Sequence, residues 1–158
     1  MNIKKDVVCI GGGIMSVTLA RLLQELDPDL DITIYEKLSS CALESSQSIN
    51  NAGTGHAGFC ELNYTPMNRQ QLVSVDRALK INSEFEVSLQ FWSFLTKKYK
   101  SFKPESFITQ VPHISLVKGD KNISFLKKRY EVLSKTLLFK GMQFSRSKET
   151  IKEWAPLI

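Results

Sequence analysis

Gly11, Gly12 and Gly13 stand in a row in "IGGGIMS", Ser16 follows, and a carboxylate, Glu36, comes 23 positions after Gly13. The spacing is Gly11-x-Gly13-x-x-Ser16, and each residue type has a task in holding a pyrophosphate. Gly11 permits a tight turn, and Gly13 lets the backbone come close to phosphate oxygens. Ser16 is small enough for a helix to pack closely on a strand. A helix that opens with Ile14, Met15 and Ser16 presents unpaired N–H groups and a partial positive charge to the phosphates. Glu36, with Lys37 beside it, can accept hydrogen bonds from ribose hydroxyls, and its charge disfavours a 2′-phosphate. The chemistry is dinucleotide binding. The motif by itself leaves NAD and FAD both open.

A second set lies in "SINNAGTGHAGFCELNYTP", residues 48–66. Asn50, Asn51, Gly53, Thr54, Gly55 and His56 crowd its first half. The stretch has too little apolar periodicity for a helix and too many turn formers for a strand, so it reads as a loop. Connections usually run about four to six residues, and much longer ones tend to be functional or disordered.

The elements that must position these residues follow from pattern. "KDVVCI", residues 5–10, reads as a short buried strand, and "IMSVTLARLLQEL" as a helix stopped by Pro28. "DITIYEK" is a second strand rich in branched residues. Strand, glycine turn, helix and strand in this order make a βαβ unit with parallel strands. Beyond the loop, Val75, Leu79, Phe85, Leu89, Trp92, Leu95 and Tyr99 recur at helical steps with a gap at Asn82. Their aromatic stripe is read as core. "VPHISLVKG" is expected to be a strand with Gly119 and Asp120 in the turn after it. Ile123, Leu126, Tyr130, Leu133 and Leu137 mark another helix, "MQFS" a further strand, and "SKETIKEWAPLI" a short helix interrupted by Pro156.

Composition narrows the class. The chain has 158 residues, 42% hydrophobic and 23% charged, the balance of a globular protein with room for a core. Cys9, Cys41 and Cys60 are odd in number and lack C-x-x-C spacing, which argues against a disulfide framework and a metal site and for a reducing compartment. Lys4 and Lys5 precede an apolar run, but the glycines and Asp6 do not suit a signal peptide. No apolar run reaches the roughly 20 residues of a bilayer span. Charge is uneven: residues 1–96 carry 7 Lys/Arg against 11 Asp/Glu, and residues 97–158 carry 14 against 5. "KKYKSFK" and "FLKKRYEVL" read first as solvated faces. The sharper reading is attraction to an anionic membrane surface. Nucleic acid is not expected, because the aromatics lie at helical spacing and form no stacking platform.

These segments, in order over the whole chain, resemble the N-terminal part of malate:quinone oxidoreductases. "NNAGTGHA…CELNYT" is the specific block of that resemblance, whereas the glycine turn is shared by many flavoproteins. The resemblance implies an α/β fold: an N-terminal βαβ, Rossmann-like part of a two-domain FAD-dependent oxidoreductase. It implies FAD as cofactor, (S)-malate and a quinone as substrates, and peripheral attachment at the cytoplasmic face of the inner membrane. Asn50, Asn51, Gly53, Thr54 and Gly55 would contact the flavin. His56 would be the base or a flavin-contacting donor; a loop histidine bonded to backbone and a covalent flavin link stay open beside these. His113 is expected to be a core or substrate-domain histidine, and Glu61 and Asn63 to fix the loop's exit. Residues 1–66 would begin the FAD domain and residues 67–158 the substrate or cap region. Members of the family are much longer, so the chain is expected to be an N-terminal fragment, inactive and flavin-free alone. Another FAD-dependent 2-hydroxy-acid or amino-acid oxidoreductase, or a non-catalytic nucleotide-binding remnant, are the alternative readings.

Overall fold

The computed structural model describes residues 4–55, 57 and 61–157. They form an α/β chain that divides into two compact units, one up to Thr54 and one from Gly55 onward.

The first unit is the expected βαβ. Strand β1 (Val7–Ile10) and strand β2 (Ile32–Tyr35) pair in parallel, with Val7 opposite Ile32 and Ile10 opposite Tyr35. Between them helix α1 (Ile14–Leu26) packs on both strands. It stops where Asp27 turns extended before Pro28, and the Asp27 side chain accepts the Asp29 N–H at 3.1 Å. Lys5 and Asp31 tie the two strand entrances with an ion pair of 2.8 Å, a surface pair of small worth. Both strands are shorter than the apolar runs suggest. Ile10 and Tyr35 are 79% and 60% exposed. Parallel sheets normally carry helices on both faces; within the first unit this sheet has only α1 packed on it.

The second unit is helical: α2 (Asp76–Lys98), α3 (Asp120–Leu133) and α4 (Lys148–Trp154). Asp76 in the first turn and Lys97 and Lys98 in the last suit the dipole of α2. Its stripe is half-buried as expected up to Leu95. Trp92 meets Phe85 and Phe107 edge-on, with centroids 6.4 and 5.8 Å away, and Phe102 stacks on Phe107 at 4.6 Å. The aromatic stripe is therefore packing. Tyr64, Ala78, Leu133 and Phe139 form the buried cluster, with Val75, Leu79, Ile81 and Met142 against it. α3 starts after Gly119, which takes φ +89°, and ends at Leu133, short of Leu137, which opens a separate 3₁₀ turn. Ser147 caps α4 by accepting the Thr150 N–H, and the helix ends just before Pro156.

Two expectations fail here. "VPHISLVKG" and "MQFS" are extended or irregular and join no sheet; among the described residues the only other β pairing is one bridge, Met67 to Val73. An alternating pattern becomes a strand only when a neighbour satisfies its backbone groups, and none lies beside these. The solvated reading of "FLKKRYEVL" also needs correcting at one residue. Lys127 is exposed, but Arg129 is 1% exposed and donates through Nε to Thr65 Oγ1 at 2.8 Å. Burial lowers its pKa from the ordinary arginine value.

The cluster sets a stability test. Leu133 is fully buried, so Leu133→Ala in the intact protein should cost about 2–5 kcal/mol. Chemical denaturation checks this, and an unchanged midpoint would contradict the placement of α3 in the core.

Candidate functional site

The glycine turn is built by the end of β1 meeting the end of β2. Gly11 takes φ +89°, a left-handed conformation that L side chains resist, and its N–H donates to the Tyr35 carbonyl at 2.7 Å. Gly12 is buried, and its N–H donates to Glu36 Oε2 at 2.6 Å. A Cβ on Gly12 would lie 2.6 Å from Cys41 Sγ and 3.1 Å from Glu36 Oε2. The middle glycine is thus the one this chain's own atoms demand. Gly13 differs: with φ −77° it is unstrained, and a Cβ there would meet only Ser46 Oγ, at 3.5 Å. Its side of the turn has room for a Cβ without displacing a neighbour.

Helix α1 begins on that side. Ile14 and Met15 are 61% and 81% exposed, and Ser16 is half-buried. The first amides of a helix have no acceptor within it. Here Ser46 Oγ accepts the Ile14 N–H at 2.9 Å. Ser46 was not anticipated; its only signal is the serine run in "ESSQS". The segment that carries it folds back on the turn, because the Ala42 N–H donates to the Gly12 carbonyl at 3.0 Å and Ala42 takes φ +64°.

Glu36 is drawn into this turn. Its Oε1 accepts the Leu38 N–H at 2.9 Å while Oε2 holds Gly12. Those two amides, Leu38 first, hold its carboxyl below the usual carboxylate range. Each oxygen keeps a further lone pair, so ribose hydroxyls could still be accepted. Lys37 points elsewhere, to Glu44 Oε1 at 3.3 Å on the surface.

The loop is held by its asparagines in a way that composition did not suggest. Asn50 Nδ2 donates to the Glu44 carbonyl at 3.0 Å and Asn51 Nδ2 to the Ser45 carbonyl at 3.3 Å. Asn51 Oδ1 accepts the Gly53 N–H at 2.7 Å, which sets Gly53 at φ +61°. The left-handed residues of this region are Ala42 and Gly53; Asn51 itself is extended, at φ −137°. Thr54 is exposed. In the second unit, a Cβ on Gly55 would lie 2.7 Å from Phe85 Cε2. Asn82, the gap in the helical stripe, is 2% exposed and donates through Nδ2 to the Ala57 carbonyl at 3.0 Å. His56 lies outside the described residues, as does Cys60. The loop's exit rests on buried Tyr64 and Thr65. Glu61 contributes there through its backbone carbonyl, which accepts the Tyr64 N–H at 3.2 Å. His113 is exposed, with Nε2 3.4 Å from Ser115 Oγ, so it is no core residue.

Among the described residues no group of three His, Cys, Asp or Glu could hold a metal. What the first unit brings together is a glycine turn, a helix start and a carboxylate on one edge. That donor set suits a dinucleotide: amides at the start of α1 for the pyrophosphate and an acceptor for the ribose.

Comparison with known proteins gives one family. The family model described as "Malate:quinone oxidoreductase (Mqo)" matches residues 3–158. Proteins called "Probable malate:quinone oxidoreductase" from Bacillus cereus (strain AH187), Bacillus thuringiensis (strain Al Hakam) and Bacillus anthracis (strain A0248) are each 51% identical to the chain. Each match covers 100% of the chain and 32% of the relative. The chain thus spans about a third of the length of the curated relatives it matches.

The Glu36 geometry fixes a pH dependence. A carboxylate whose folded pKa is depressed stabilises the fold fully above its unfolded pKa, about 4.3. That contribution is lost as pH falls through the lower folded value. Stability curves of the intact protein and of Glu36→Gln should therefore converge as pH drops below about 4. A gap that stays constant with pH would mean that the carboxylate is not held by the Gly12 and Leu38 amides.

Proposed function

The chain belongs to the malate:quinone oxidoreductase family, and on that premise we propose that the whole protein oxidises (S)-malate to oxaloacetate with FAD and delivers the electrons to a membrane quinone. The observation that carries the cofactor assignment is the turn at the start of α1, where Gly12 and Glu36 lock together and Gly13 has room for a Cβ. Residues 1–66 are taken as the beginning of the FAD domain of a two-domain oxidoreductase. Residues 67–158 are taken as the start of its substrate or cap region. That only α1 packs on β1 and β2 within the first unit supports this division, since the further strands and helices of such a domain would cover the sheet.

The roles follow from the side chains. Gly11 and Gly12, whose own amides are taken by Tyr35 and Glu36, shape the turn; Gly13 and the first amides of α1, at Met15, Ser16 and, once Ser46 gives it up, Ile14, bind the pyrophosphate. Glu36 accepts from the ribose, and Lys37 balances charge at the rim. Asn50, Asn51, Gly53, Thr54 and Gly55 line the flavin. Gly53 and Gly55 suit this task because a glycine backbone can approach a flat ring closely. Bound flavin supplies the acceptor for the hydride that leaves C2 of malate. His56, with an intrinsic pKa near neutrality, takes the proton from the C2 hydroxyl so that the carbonyl of oxaloacetate can form.

Attachment to the membrane is peripheral in this reading, at the cytoplasmic face of the inner membrane, with no role for nucleic acid. No helix among the described residues is long and apolar enough to cross a membrane. "KKYKSFK", residues 97–103, is exposed, and each basic residue near an anionic surface is worth roughly 1 kcal/mol.

Full-length protein tests the reading. Wild type should purify yellow and reduce a quinone analogue with malate and no NAD. Gly13→Val places a Cβ that meets nothing nearer than Ser46 Oγ at 3.5 Å and adds bulk on the ligand's side of the turn, so it should purify colourless and folded. His56→Ala should keep its flavin and slow flavin reduction about 100- to 10,000-fold, the range for a general base. A yellow Gly13→Val protein, or activity that requires NAD, would contradict the reading.

A further inference from the structure

Asn82 is out of place in a packing stripe. Its neighbours at helical steps, Leu79 and Phe85, are apolar, and an apolar residue here would complete the stripe. Instead a side chain only 2% exposed carries an amide whose Oδ1 is buried without a hydrogen-bond partner. Burying an unpaired polar atom opposes folding, so the amide serves something other than stability. Its Nδ2 reaches 25 residues back along the chain to the Ala57 carbonyl, at 3.0 Å. One turn further along α2, on the same side, the Phe85 ring sits where a Cβ on residue 55 would approach to 2.7 Å. Two neighbouring side chains of one helix therefore grip the loop at residues 55 and 57, on either side of His56 in the sequence.

We propose that Asn82 is a positioning residue for the oxidation: by holding the Ala57 carbonyl, beside the Phe85 contact at Gly55, it fixes the path of the loop that the reading above lays along the flavin. This rests on the flavin reading above. The helix lends the loop its rigidity, because α2 is a 23-residue element anchored through Ala78 in the buried cluster. Among the described residues, Asn50 and Asn51 anchor the loop's start, and after Gly53 the next contacts are those at Gly55 and Ala57. Reactions that depend on near-attack geometry lose about 100-fold for misplacement of roughly an ångström. Losing this one hydrogen bond should thus affect the chemical step more than affinity.

The experiment uses full-length, flavin-loaded protein with two variants. Asn82→Leu keeps the branching and heavy-atom count and removes the donor; Asn82→Asp keeps the shape and puts an acceptor where the donor was, and decides the matter if the leucine variant does not fold. Flavin content, the visible flavin spectrum, and the rate of flavin reduction against malate concentration are recorded. The expected result is a protein that still binds flavin, with an altered visible band and a reduction rate per bound flavin about 10- to 100-fold lower at little-changed KM. A purely structural Asn82 would lower the melting temperature while leaving spectrum and rate per flavin within twofold of wild type; that result overturns the inference. A colourless wild type overturns the flavin reading and this inference with it, whereas a yellow wild type matched by its variants overturns this inference alone.

Discussion

The hydrogen bond from the Gly12 N–H to the Glu36 carboxylate, 2.6 Å long, is the constraint on which the first unit's site depends. It joins the turn after β1 to the end of β2, and it does so at a position where no side chain fits between the carboxylate and Cys41. Once that contact is made, the start of α1 and the acceptor at the second strand must share one edge. The parallel register of Val7 to Ile32 through Ile10 to Tyr35 brings the two ends level. The Gly11 N–H to Tyr35 carbonyl bond extends the ladder one step past the strands. The segment after β2 then closes over the turn through Ala42 and Ser46. The carboxylate is bonded to the Gly12 and Leu38 amides and not to the start of α1, where Ser46 takes the Ile14 amide.

The second unit solves a different problem, which is to hold the described residues at the later end of the glycine-rich loop. It does so with buried polar side chains. Arg129 reaches Thr65 at the loop's exit, and Asn82 reaches Ala57 nearer its centre. Each leaves one buried polar atom without a partner, Arg129 Nη2 and Asn82 Oδ1. A core built for stability alone would use apolar residues at both places. Polar anchors trade some stability for a defined backbone path.

Local pattern made part of this legible and long-range contact hid the rest. Helix α1 was readable to its last residue, because glycines precede it and Pro28 follows it within two residues. The α2 stripe was readable because its apolar steps run for several turns, and even the irregularity at Asn82 showed as a gap. The proposed strands at 111–119 and 142–145 were misread because alternation describes one strand, whereas a sheet needs two. Arg129 looked like a solvated charge because its neighbours Lys127 and Lys128 are surface residues; only the fold reveals Thr65 opposite it. Ser46 and the Asn50 and Asn51 anchors were hidden for the same reason. Each acts through one hydrogen bond to a residue whose proximity no periodicity encodes, and glycine content pointed to the loop without saying which atoms hold it.

The central claim is that the turn from Gly11 to Ser16 holds the pyrophosphate of FAD. Amide hydrogen exchange over this segment, in full-length protein stripped of flavin and then reloaded, tests it most directly. The account predicts that FAD slows exchange at Gly13 through Ser16, where ligand oxygens take up the helix's first amides. Exchange there that stays the same on reloading, with protection appearing only elsewhere in the chain, would contradict it.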